Sequence, residues 1–100
     1  MQNNETSKIP LRVLILEDRA EDAELLLHEL RKAGFKVDAR RVEDDAGFRA
    51  RLDADLDVIL ADYALPGYNV LNALDSLQES GLDIPFIIVT GALSDEDAAA

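Results

Sequence analysis

The sequence predicts an α/β protein built on a doubly wound parallel sheet, with helices on both faces. Two observations carry this. Three short apolar runs, at residues 11–16, 58–61 and 86–89, lack the alternation of a half-wet strand, as strands buried on both faces do. Between them lie segments with helical apolar spacing, so strand and helix alternate along the chain.

Residues 1–10 are polar and patternless and read as a flexible leader. The first strand, 11–16, stops at Glu17-Asp18. Ala23, Leu26, Leu27 and Leu30 then follow the i, i+3, i+4, i+7 spacing of one buried helix face, and Gly34 stands where a left-handed stop belongs. Phe35, Val37 and Ala39 alternate with Lys36, Asp38 and Arg40, which predicts a strand with one wet face at a sheet edge. Residues 43–52 form a weaker helix with a thin apolar face, interrupted by Gly47. The strand at 58–61 stops at Asp62; Val70, Ala73, Leu74 and Leu77 mark the next helix, closed by Gly81; and the strand at 86–89 stops at Thr90-Gly91. Ser94 and Asp97 have capping spacing for a helix starting near residue 95. Six residues are too few for a stable helix, so the chain is expected to be part of a longer domain.

Composition narrows the chemistry. With no cysteine there is no disulfide framework and no thiolate metal site, and a single histidine, His28, cannot build a His-rich centre. No apolar run is long enough to span a bilayer, and the start lacks a signal-peptide pattern, so a cytoplasmic domain that does not engage membranes is expected. Residues 1–51 hold 11 acids and 10 bases, whereas residues 52–100 hold 10 acids and no base, a net of −1 and −10 that sums to −11. That balance argues against binding the nucleic-acid backbone and is compatible with a divalent cation or a basic partner.

In an open α/β sheet, ligands sit beyond the carboxyl ends of the strands, where the strand order reverses. In the order 2-1-3-4, the strands ending at Asp18 and Asp62 are neighbours, which brings Glu17, Asp18 and Asp62 within a few ångströms. Like charges so close destabilise the fold unless a cation joins them. An all-oxygen ligand set with positions left for water suits Mg²⁺, with Mn²⁺ as a substitute. A metal beside a carboxylate also makes a place for a phosphoryl group, with the carboxylate as nucleophile. Thr90 would offer its hydroxyl to a phosphoryl oxygen, and Gly91 would let the backbone approach.

These residues resemble the receiver domain of two-component response regulators, a flavodoxin-like fold. The resemblance lies in Leu14-Ile15-Leu16-Glu17-Asp18, in Asp62-Tyr63-Ala64-Leu65-Pro66-Gly67 and in Val89-Thr90-Gly91-Ala92, and covers residues 11–100 with order and spacing intact. It implies that Asp62 is the phosphoacceptor and Asp18 a direct Mg²⁺ ligand, with Glu17 acting mostly through water and the Ala64 backbone carbonyl completing the protein's share. Thr90 would report the phosphoryl group, and Pro66 and Gly67 would shape the loop. The implied donor is a histidine kinase or phosphotransfer protein, with Glu29 and Arg31 on its docking face. The domain would not be an enzyme beyond phosphorylating and dephosphorylating itself. The sequence departs from the family in lacking a fifth strand with its Lys and switch residue, and a final helix. An apolar edge left bare there could pair two copies.

Several residues have plainer readings. Asp18 and Glu21 have capping-box spacing, so Asp18 could cap the first helix. Tyr63 and Tyr68 read as loop packing. His28-Glu29-Leu30-Arg31 imitates a phosphohistidine box, but Gly34 ends that helix too early, and His28 is expected to face solvent. The competing function is a receiver-like interaction module that is not phosphorylated. An aspartyl phosphatase would want a second Asp at position 64, which is Ala64.

Overall fold

Four strands join in one parallel sheet in this computed structural model, which describes residues 8–90. The elements are β1 (Ile9–Leu16), α1 (Ala20–Lys32), β2 (Phe35–Val42), α2 (Asp45–Arg51), β3 (Val58–Asp62), α3 (Val70–Ser80) and β4 (Phe86–Val89). Their order is β2-β1-β3-β4, with every pairing parallel, as the alternation of runs predicts. The expected leader through residue 7, the helix start near 95, Gly91 and any fifth strand or final helix lie outside the described residues.

Strand β1 begins two residues before the expected boundary. Ile9 and Pro10 pair with Phe35 and Lys36, and the Ile9 N–H donates to the Gly34 carbonyl at 3.2 Å. Successive N–H groups in a parallel strand point to opposite neighbours, so the nitrogen of Pro10 faces the β3 side. Pairing with β3 starts only at Val13, so proline's missing donor costs nothing there.

The two sheet faces carry separate cores. Leu14 and Leu16 of β1 and Ile59 and Ala61 of β3 meet α2 and α3, with Phe48, Val70, Ala73 and Leu77 buried among them. Val13, Ile15 and Leu60 face the other way, against Ala23 and Leu27 of α1. Burial on both sides of β1 and β3 is what their unalternating sequences require. Edge strand β2 keeps Lys36, Asp38 and Arg40 in water while Val37 and Ala39 pack under α1. Gly34 and Gly81 carry positive φ after α1 and α3, as their places in the sequence predict.

Two elements depart from expectation. Helix α2 is short, yet its Phe48 is wholly buried and meets Phe86 edge to face, with ring centroids 6.4 Å apart. Gly47 serves this approach: a Cβ there would lie 3.3 Å from that of Val42 and 3.2 Å from the Asp44 carboxylate that caps the helix. Strand β4, whose unalternating run reads as buried on both faces, lies at the edge of the described sheet with Ile87 49% and Ile88 39% exposed, the bare apolar edge expected from the family resemblance. Among the described residues α1 covers β1, β2 and part of β3 on its face, and no helix reaches Ile87.

Phe48→Ala should therefore cost about 3–5 kcal/mol of stability by opening a cavity in the larger core, read as a lower urea midpoint.

Candidate functional site

Parallel register builds the site. Leu16 pairs with Ala61, so Glu17 and Asp62 emerge side by side at the carboxyl rim of the sheet. One carboxylate oxygen each from Glu17, Asp18 and Asp62 lies within 4.8 Å of the others. Glu17 is buried, only 4% exposed, and its N–H extends the β1–β2 ladder to the Val42 carbonyl at 2.9 Å. Asp18 and Asp62 are half-buried and open to solvent on one side.

The plainer reading of Asp18, as a cap for the first helix, is not realised. Arg19 is the N-cap residue of α1, without a side-chain cap, and its N–H donates to Glu17 Oε2 at 3.0 Å. The carboxylate of Asp18 is thereby left to the cluster. Burial pushes the Glu17 carboxyl up to about 7; the Arg19 N–H opposes this, while Asp18, Asp62 and Asp22 add to it.

The loop from Tyr63 to Asn69 carries the remaining candidates. The Tyr63 N–H donates to the Val89 carbonyl at 2.9 Å, which carries the β3–β4 ladder past Asp62. Asp62 Oδ1 accepts the Ala64 N–H at 3.0 Å, turning the chain sharply after the strand. Leu65 anchors the loop in the core, Pro66 is exposed, and Gly67 takes φ +70°, a conformation that only glycine adopts without strain. Asn69 then caps α3 by accepting the Leu71 N–H at 2.9 Å. Thr90 is exposed, one residue past the Val89 partner of Asp62. His28 is exposed on α1, as expected, but Tyr63 is 60% exposed and does not pack. Arg31 lies in the last turn of α1, paired with Glu24, about 16 Å along the helix from its start at the site.

One contributor was hidden from sequence reading. Arg41 Nη1 reaches from β2 to the Glu17 carbonyl at 3.2 Å and the Asp18 carbonyl at 3.5 Å, pinning the loop that carries both acids. Its signal was a broken alternation, because Arg41 stands where the series Phe35, Val37, Ala39 calls for another apolar residue.

The donor set fits a hard divalent cation. Three carboxylates converge, their charges repel, and the most buried one holds its proton far above the ordinary range until something positive replaces it. The helix N-terminus of α1 beside them adds partial positive charge for an anion at the same rim.

No family model matches the chain. Among curated proteins it is 34% identical over 80 residues to the transcriptional regulatory protein DltR of Streptococcus agalactiae, serotypes III and V. It is 29% identical over 80 residues to the probable transcriptional regulatory protein SilR of Salmonella typhimurium. Each match takes in 80% of this chain but 35% of the relative, so the chain spans about a third of the relatives' length. Among solved structures it resembles a response regulator receiver domain protein from Bacillus halodurans, with TM-score 0.61 and 20% identity, over 90% of this chain and 93% of that one. The fold is therefore that of a receiver domain, with the flavodoxin-like strand order expected from the sequence.

The Glu17 carboxyl makes metal-free stability depend on pH. The folded form binds its proton more tightly than the unfolded chain, where the ordinary value is 4.5, so stability falls as pH rises from about 4.5 to about 7. The loss should be on the order of 3 kcal/mol and complete above that window. Thermal melts in chelator at pH 5 and 7.5 should show it, and Glu17→Gln should flatten the profile.

Proposed function

We propose that this chain is a phosphoryl-accepting receiver domain of a two-component system. The observation that carries the proposal is the convergence of Glu17, Asp18 and Asp62 at the strand ends of a receiver fold. In this reading a carboxylate oxygen of Asp62 attacks the phosphorus of a phosphohistidine on a histidine kinase or phosphotransfer protein. The P–O bond to Asp62 forms as the P–N bond breaks, and the leaving imidazole takes a proton from solvent.

Glu17, Asp18, Asp62 and the Ala64 carbonyl would hold Mg²⁺, which when bound neutralises the oxygens of the incoming phosphoryl group. Asp62 is already oriented by the Ala64 N–H, and its half-buried position lets a donor approach from solvent. Thr90, at the end of the adjoining strand, would donate its hydroxyl to the phosphoryl group and carry the change to the surface, with Gly91 beside it. Pro66 and Gly67 hold the turn that keeps Ala64 at the rim. Exposed residues of the first half of α1, Glu21, Glu24 and Leu25, suit a docking face better than Glu29 and Arg31, being nearer the rim. A cytoplasmic location accords with this role; among the described residues no helix is long and apolar enough to cross a membrane.

Residues 52–100 themselves offer no Lys or Arg to pair with a phosphoryl group, and the competing reading is an interaction module that is not phosphorylated. Intact-mass measurement after incubation with acetyl phosphate separates the two. The first reading predicts Mg²⁺-dependent addition of one phosphoryl group, lost in Asp62→Asn with the fold retained. A folded protein that stays unlabelled would favour the second.

Among the described residues the outer edge of β4 has no partner strand, and with Ile87 and Ile88 exposed on opposite faces it is the surface through which two copies would pair. Light scattering should give a concentration-dependent dimer that Ile87→Lys abolishes; a monomer at all concentrations would remove this interface.

A further inference from the structure

Seven residues separate Asp62 from α3, and they include the backbone group assigned to the metal under the reading above. Most of what holds this loop is its own: the Ala64 N–H to Asp62 Oδ1, the Tyr68 N–H to the Leu65 carbonyl at 3.4 Å, and the Asn69 cap of α3. Among the described residues, a single side-chain hydrogen bond ties it to an element that does not adjoin it in the chain. The Tyr68 hydroxyl donates to Asp45 Oδ1 at 2.9 Å, at the first residue of α2.

Asp45 is a prepared acceptor. Its Oδ2 receives Arg49 Nε at 2.8 Å from the next turn of α2, and its Oδ1 also lies 3.5 Å from the hydroxyl of Ser76, a buried residue of α3. The carboxylate thus joins α2, α3 and the loop at one point. The Arg49 and Tyr68 hydrogen bonds hold the Asp45 carboxyl below its ordinary range. Burial and the bond to Asp45 push the Tyr68 hydroxyl up to about 12, so it stays a donor at any physiological pH. The Tyr68 ring packs against the larger core, so the hydroxyl is presented by a side chain with little freedom to turn away.

We propose that Tyr68 and Asp45 are positioning residues for the metal site: their hydrogen bond ties the loop after β3 to α2 and so holds the Ala64 carbonyl where a cation needs it. Neither residue touches the cation. The inference rests on the metal-binding reading, and its test must fail separately from it.

Mg²⁺ affinity, measured by calorimetry on the full chain, should weaken roughly tenfold in Tyr68→Phe, the scale on which partners of metal-binding groups act. Asp45→Ala should do the same. The double variant should lose no more than Asp45→Ala alone, since Tyr68→Phe removes a bond that Asp45→Ala has already removed. Leu30→Ala, which weakens the core at the far end of α1, should keep the affinity within about twofold of wild type, separating loop position from general stability. In metal-free protein, amide exchange at Ala64 and Tyr68 should quicken at least about threefold in Tyr68→Phe. Unchanged affinity and unchanged exchange in Tyr68→Phe would overturn the proposal, as would an equal loss of affinity in Leu30→Ala. Should wild type itself fail to bind Mg²⁺, the metal reading falls, and the exchange rates alone decide whether the tie holds the loop.

Discussion

The pairing of β1 with β3 is the constraint on which the site depends. Val13 to Leu16 run beside Val58 to Ala61, and both strands are gripped by side chains on both faces. A slip of one residue would turn Leu14 and Leu16 away from α2 and α3 and toward α1, inverting two cores together, so the register is strongly specified. Glu17 and Asp62 are simply the next residues out. Their meeting at the rim is a consequence of apolar packing several residues earlier.

That placement has an energetic cost. Glu17 is buried at the rim with two half-buried carboxylates nearby, and repulsion there works against the fold. The compensation comes from the backbone and from a neighbouring strand. The Arg19 N–H meets Glu17 Oε2, and Arg41 holds the carbonyls of Glu17 and Asp18. These contacts orient the acids without neutralising them fully, and a site tuned this way has more to gain from a cation than a relaxed one. Stability and binding capacity are opposed at these three residues.

Much of this architecture was legible in the chain. Buried runs ending in acids, the alternation at 35–40 and the helical spacing of Ala23, Leu27, Val70 and Leu77 are periodicities, and periodicity reports which face a backbone buries. Phe48 was not legible, because one aromatic in a seven-residue helix with an internal glycine shows no stripe. An apolar run looks the same at an edge as in the middle of a sheet, so the bare edge at Ile87 and Ile88 was expected only from the family resemblance, in which a fifth strand would follow. Asp18 and Glu21 had the spacing of a capping box, and only the burial of Glu17 shows which carboxylate takes the Arg19 N–H.

The sequence by itself determined the element types, their order and the acids at the strand ends, because these follow from local spacing along the chain. Only tertiary structure decided that Arg41 reaches the β1–α1 loop and that Tyr68 reaches Asp45. These partners lie 23 or 24 residues apart and are joined by strand order and helix placement. The break in the alternation at Arg41 marks that something is unusual but names no partner, since a hydrogen bond requires two groups to meet in space and places no demand on the residues between them.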